Sequence, residues 1–195
     1  LQLLQQLRLA ATFEDVAAFR VSIKIFLTQA QLQRAESEAA RRQSFNAARG
    51  MRGRNGAPSL GAKAMEMHRI GCIGEMAVAA HLGLDESIYS DVSPNRKRTD
   101  LPGRIEVKTR AKHHYDLLVQ LDDSADKLYV LVTYEAGEAR LAGWIDGSEV
   151  SSKGSVVEYV RGRPCRAVRQ SSLNDPTLLI AEVQARLSKE HSGDS

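Results

Sequence analysis

The segment Arg104-Ile105-Glu106-Val107-Lys108-Thr109-Arg110 alternates charged and apolar residues. As a strand it puts Ile105 and Val107 on one face and projects Glu106 and Lys108 together from the other. A Glu-x-Lys triplet alone says little, because roughly one per chain of this size arises by chance, and it reads equally as a solvated face with an ordinary ion pair. Asp100 lies just upstream, separated by Leu101-Pro102-Gly103. Pro-Gly is a turn signal, so Asp100 and Glu106 occupy two arms of a tight turn that brings their carboxylates together. Two hard carboxylate oxygens suit Mg²⁺, with water and a substrate phosphate completing an octahedron. Lys108 would point at the same spot. The plain alternative for Asp100 is a turn-entry aspartate.

A third carboxylate, Glu75, sits within a run from Ile70 to Leu82 that is apolar on nearly every side of a helix. Such a helix is buried, and a carboxylate inside it must find a partner, a metal or a proton. Gly71 and Gly74 remove side chains next to it and allow close approach of another backbone. A structural salt bridge to a basic residue elsewhere is the competing reading of Glu75.

Gly71-Cys72-Ile73-Gly74-Glu75 on a helix, then Asp100, then Glu106-Val107-Lys108 on a strand, together resemble the PD-(D/E)xK nuclease superfamily. The likeness covers roughly residues 60–146. Gly143-Trp144-Ile145-Asp146-Gly147 is similar to a segment of phage-type members, and a resolvase-like relative is the other expectation. The family's Pro-Asp is Thr99-Asp100 here. The resemblance implies an α/β, restriction-endonuclease-like core of αβββαβ type, a mixed sheet flanked by helices. It implies Mg²⁺-dependent hydrolysis of DNA phosphodiester bonds, with Mn²⁺ as substitute. Asp100, Glu106 and the Val107 carbonyl would be ligands, Glu75 would serve a second metal or its water, and Lys108 would act on the transition-state charge. Arg96, Lys97, Arg98, Arg104, Arg110 and Lys112 flank these positions and read as phosphate contacts.

The elements that must position these groups follow from pattern. Residues 1–48 read as a helical extension. Leu1, Leu4, Leu7 and Ala11 form one stripe, and Val16, Phe19, Ile23, Phe26 and Leu27 continue an apolar stripe after a cap at Thr12. Residues 28–45 are polar, as in a solvated helix or one packed on a partner. Residues 49–61 carry four glycines and a proline and read as a linker. No acid occurs from Ala39 to Met65, so Arg49, Arg52 and Arg54 suggest either a solvated connector or a phosphate-contacting arm. The nuclease-like domain is expected over 62–190. It opens with a helix over 62–82 that stops at Gly83. Strands follow at 104–110, 115–121, 128–134 and 140–145, with another at 155–160 and a closing helix at 176–188. The run Leu128-Tyr-Val-Leu-Val-Thr-Tyr reads as a central strand. His113-His114 would point apart on a strand and is set aside as a metal pair. Trp144 reads as core.

With 195 residues, 43% hydrophobic and 26% charged, the chain has an ordinary globular composition. Cys72 and Cys165 build neither a disulfide framework nor a zinc pattern, and a reducing, cytoplasmic setting in a bacterial or phage-infected cell is expected. There is no run of about 18 apolar residues for a membrane span, no visible signal peptide and no Walker-type phosphate loop. The chain starts at Leu1 rather than Met, as a fragment or processed product would. The expected activity is a metal-dependent DNA endonuclease, selective for junctions or branches. The alternative is a catalytically inactive nuclease-fold protein that binds DNA or assembles as a homo-oligomer through its N-terminal helices.

Overall fold

The computed structural model describes residues 22–48, 61–84 and 99–192. The helix read over 1–21, the linker arginines Arg49, Arg52 and Arg54, and Arg96-Lys97-Arg98 lie outside the described residues. The described chain is mixed α/β. In chain order it runs β1 (Ile23–Ile25), α1 (Gln29–Ala48), α2 (Ala62–His81), β2 (Ile105–Arg110), β3 (Leu117–Gln120), β4 (Leu128–Glu135) and β5 (Glu138–Asp146). It continues with α3 (Val150–Lys153), β6 (Gly154–Val157), β7 (Cys165–Val168) and α4 (Leu179–Ser192).

Two sheets organise these elements. The first has the order β1-β5-β4-β2 and the second β3-β7-β6. In the first sheet β2 runs parallel to β4, while β4–β5 and β5–β1 are antiparallel. The expectation of a central strand at 128–134 holds: β4 has a neighbour on each side and is buried over its first six residues. Its continuous apolar run is what burial on both faces demands. Leu128, Val130 and Val132 pack against α2 and α4 residues such as Met76, Ala77, Leu179 and Val183. Tyr129 and Leu131 face the other way, onto Leu117, Val119 and Val168 of the second sheet. The layers are therefore helices, first sheet, second sheet, with α1 outermost against α2 through Ala35, Ala39, Cys72 and Ile73.

Helix α2 shows why its sequence is apolar all round. The sheet covers one side and α1 another, and Cys72 through Ala79 are all buried. It ends as expected: Gly83 takes φ 65°, and Leu84 N–H reaches back to the Ala79 carbonyl at 3.0 Å, a helix-terminating loop that glycine favours. Gly74 matters for packing. A Cβ there would lie 1.8 Å from Thr109 Oγ1, so its absence seats α2 directly on β2. Gly71 meets nothing within 4 Å, so the close approach rests on Gly74 alone.

Three expectations need correction. Ile23–Ile25, read as helix, is a strand paired with β5. The boundary signal is Thr28: its Oγ1 accepts from Gln31 N–H, and Gln31 Oε1 accepts from Thr28 N–H. This capping box starts α1 there, and the alternation Ser22-Ile23-Lys24-Ile25 before it has strand period. The extension drawn to residue 48 thus supplies an edge strand and a helix to the same body as the segment after residue 61. The element order also departs from αβββαβ. Strands β2 to β5 follow α2 with no helix among them, and the fourth strand of the first sheet comes from upstream of α2. Finally, the expected strand at 155–160 is Gly154–Val157, and its partner β7 was not foreseen. Trp144 is core as read, 8% exposed, with Nε1 donating to the Asp175 carbonyl at 3.0 Å.

Candidate active site

Strand β2 is the edge of the first sheet. Its alternation is as expected: Ile105 and Val107 are buried, Glu106 and Lys108 half-buried on the opposite face. Backbone polarity follows the same alternation. The Arg104 carbonyl accepts from Leu128 N–H, on the side of β4. The Ile105 carbonyl accepts from Leu101 N–H on the free edge. Val107 shares the parity of Ile105, so its N–H and C=O face the free edge too. There Val107 N–H donates to Asp100 Oδ2 at 2.8 Å. The turn Leu101–Arg104 sets this up, with Gly103 at φ 73° and Arg104 at φ 58°. A chain reversal this tight needs the left-handed region that glycine supplies.

Asp100 therefore stands at the strand edge, between Glu75 on the helix face and Glu106 on the opposite face. Desolvation first, then the charges of Glu75 and Glu106, push the Asp100 carboxyl up to about 8, against the Val107 N–H and Lys108, which pull the other way. Asp100 thus feels both Glu75 and Glu106. No second hydrogen bond to Asp100 is seen among the described residues.

The other two carboxylates are held by cations. Glu106 Oε1 lies 3.2 Å from Lys108 Nζ, and its Oε2 lies 2.7 Å from Lys127 Nζ. Lys108 Nζ also reaches Asp123 Oδ2 at 3.0 Å. Burial acts to lower the Lys108 pKa, but Glu106 and Asp123 outweigh it and hold the ammonium above its usual value. Lys108 is accordingly a fixed positive charge and not a proton acceptor near neutral pH.

Glu75, 6% exposed, meets the salt-bridge reading. Arg42 of α1 grips it with two bonds, Nη1–Oε1 at 2.7 Å and Nη2–Oε2 at 2.6 Å. Arg42 Nε also donates to Glu38, which Arg41 holds through two further bonds. Arg42→Ala should destabilise the chain by about 3 kcal/mol, because it strands a buried carboxylate. Glu75→Gln in that background should recover part of the loss. A urea titration of the parent and both variants measures both effects, and an Arg42→Ala loss below ~0.5 kcal/mol would show the pair to be energetically idle.

Sequence reasoning missed Arg42, Asp123 and Lys127. Parallel pairing aligns Ile105 with Leu128, so the residue before Leu128 must sit beside the start of β2. That register is invisible locally, and the loop Asp122–Lys127 reads only as polar. Of the expected phosphate contacts, Arg104 pairs with Asp126, and Lys112 Nζ pairs with Glu135 Oε1 at 2.7 Å. Arg110 has no carboxylate partner among the described residues and lies over the Tyr115 ring at 5.0 Å. His113 is structural: Nδ1 contacts Thr133 Oγ1 at 2.8 Å, and its N–H donates to Glu135. Both cysteines are free and buried. None of the described helices is long and apolar enough to cross a membrane.

Among the described residues no three carboxylate, imidazole or thiol groups form a ready-made metal cluster. Lys127 and Arg42 occupy the carboxylates that a metal would use. The fit rests instead on Asp100, which has no cationic hydrogen-bond partner among the described residues and whose Oδ2 sits on the free edge of β2, against Val107 N–H. Asp100 and the Val107 carbonyl on one edge, with Glu106 adjacent, are a hard oxygen set of the kind divalent cations take. Comparison with protein-family models, with curated proteins and with solved structures finds no match to this chain.

Proposed function

We propose that this chain is a Mg²⁺-dependent DNA endonuclease that hydrolyses phosphodiester bonds, with a preference for branched or junction DNA. The observation that supports the reading is Asp100 on the Val107 N–H at the free edge of β2, with the Glu106–Lys108 pair on the adjoining face of the same strand. Asp100, Glu106 and the Val107 carbonyl would hold the cation, with Glu75 behind them. The bound cation would supply charge neutralisation and an activated water at the phosphate. Asp100, held up to about 8 without a cation, would ionise to help hold one. Glu106 would turn to the same cation, and Lys127, now on Glu106 Oε2 at 2.7 Å, would be placed to meet the substrate's negative charge. Lys108 stays charged between Glu106 and Asp123, placed to stabilise charge that builds on the phosphate.

A specific observation favours a second reading. Each oxygen of Glu75 and Glu106 already has a cationic partner, as in a nuclease fold retained for DNA binding or assembly without catalysis. The two readings part in an Mg²⁺ titration against supercoiled, nicked, single-stranded and branched DNA. The enzyme reading expects Mg²⁺-dependent cleavage, greatest on branched substrates. Binding without cleavage in either Mg²⁺ or Mn²⁺ establishes the second reading.

DNA affinity should draw on the basic segment at Arg49, Arg52 and Arg54 as well. Each phosphate contact releases counterions, so the triple Arg→Ala variant should flatten the slope of log K against log salt by up to about 2–3 units. Single-turnover cleavage at saturating DNA should change little. A salt titration that gives parallel slopes would reduce this segment to a tether.

A further inference from the structure

Beside the candidate site a cavity of about 350 Å³ opens between the free edge of β2, strand β3 and the loop 158–164 that joins β6 to β7. That volume falls at the small end of the range of about 300–1,000 Å³ typical of small-molecule pockets. Lys108, Arg110, Gln120, Tyr159, Arg163 and Cys165 contribute to its wall, and no carboxylate does. Elsewhere around the site the cations are paired with acids: Arg42, Arg104, Lys112 and Lys127 all are. Arg110 and Arg163 break this pattern, with no ion pair among the described residues. Arg110 Nε is buried and has no hydrogen-bond partner there, and burial holds its guanidinium below the usual pKa. A charge left in that state is poised for an anion.

The aromatic component is equally distinctive. Tyr159 is 69% exposed and the adjoining Val160 is 45% exposed, an apolar rim at the mouth of a cationic hollow. Their loop is held by its own bonds, Gly162 N–H to Glu158 Oε1 at 2.6 Å and Arg163 N–H to the Val160 carbonyl at 3.0 Å. The ring is thus presented on a fixed turn without being consumed in the core. Arginines that accept phosphate, next to a ring that accepts a flat face, match one chemical unit, a nucleotide.

The geometry points to a subsite in which one unstacked nucleotide of the DNA enters this cavity, with its phosphate on Arg110 and Arg163 and its base against Tyr159. This rests on the nuclease reading for the identity of the partner, and it deepens that reading. A nucleotide so held places its neighbouring phosphate toward Lys108, which lines the same cavity. Duplex DNA must unstack to fill it, whereas a single strand or the open base of a branch enters without that cost. The pocket therefore supplies a physical basis for preferring unpaired DNA.

The test is equilibrium binding of labelled oligothymidylate and of a blunt duplex to the full chain in EDTA, where no cleavage occurs. Tyr159→Ala should weaken single-strand binding about five- to 150-fold, the range for losing one base–aromatic stack. Tyr159→Phe should bind like the parent, and duplex binding should be unchanged in both. Arg163→Ala should flatten the single-strand salt slope by about 0.7. Thymidine monophosphate should compete only weakly. Unchanged single-strand affinity in Tyr159→Ala overturns the subsite, as does an equal loss on duplex. A mononucleotide that binds as tightly as the strand also overturns it, by assigning the cavity to a free nucleotide. Cleavage by the parent in Mg²⁺ is scored separately. If the binding pattern holds but nothing is cut, the nuclease reading falls and the subsite stands.

Discussion

Asp100→Asn lowers Mg²⁺-dependent cleavage at least about a hundredfold, the scale of losing one group that stabilises transition-state charge. The amide keeps an oxygen for Val107 N–H, the 2.8 Å bond that fixes the turn, but brings no negative charge for a cation. Stability moves the other way. Asp100 ionises at about 8 in the fold against 3.8 ordinarily, so its favourable contribution is complete below about pH 4 and is lost as pH climbs to about 8. The metal-free Asn variant should therefore gain stability relative to the parent as pH rises through that window. Glu106→Gln should match the loss of cleavage but without this gain, because it unpairs Lys127, whose side chain is only 14% exposed. Plasmid cleavage assays and thermal melts in EDTA at several pH values give both readouts. Full activity in either variant would remove these carboxylates from the site.

Lys108→Ala should bring turnover below detection while metal and DNA binding stay measurable. The argument is electrostatic. Glu106 and Asp123 hold the Lys108 ammonium charged despite burial, so it acts through its charge and not by accepting a proton. A charge that matters chiefly in the transition state lowers kcat and kcat/KM together. Folding should survive, since Glu106 keeps Lys127 at 2.7 Å and Asp123 keeps the Gln120 N–H at 3.2 Å. Steady-state kinetics on a branched substrate separate the cases. A rise in KM with kcat intact would make Lys108 a DNA contact only.

Local pattern was enough for much of this architecture. Helix α2, its stop at Gly83, the central strand β4 and the two faces of β2 follow from periodicity, because a 3.6- or 2-residue period is written in consecutive side chains. The burial of Glu75 was equally legible, since a carboxylate amid Ile70–Leu82 has no polar face to occupy. The turn between Asp100 and Glu106 announced itself through Pro102-Gly103. In each case the information lies within one turn or one strand.

What neutralises these carboxylates was decided by tertiary structure. Arg42 reaches Glu75 across 33 positions of chain because α1 packs on α2 through small residues, Ala35 and Ala39 against Cys72 and Ile73. Lys127 reaches Glu106 because β2 and β4 pair in parallel, a register that no local pattern sets. The cavity at Lys108 exists only where the edge of one sheet meets the loop of another. The strand at Ile23–Ile25 was lost to a helical reading because three residues carry too short a period to compete with a long apolar stripe, and its pairing with β5 prevailed. Burial obliges charges to find partners, but which partners they find depends on distances between segments far apart in the chain. Only folding sets those distances.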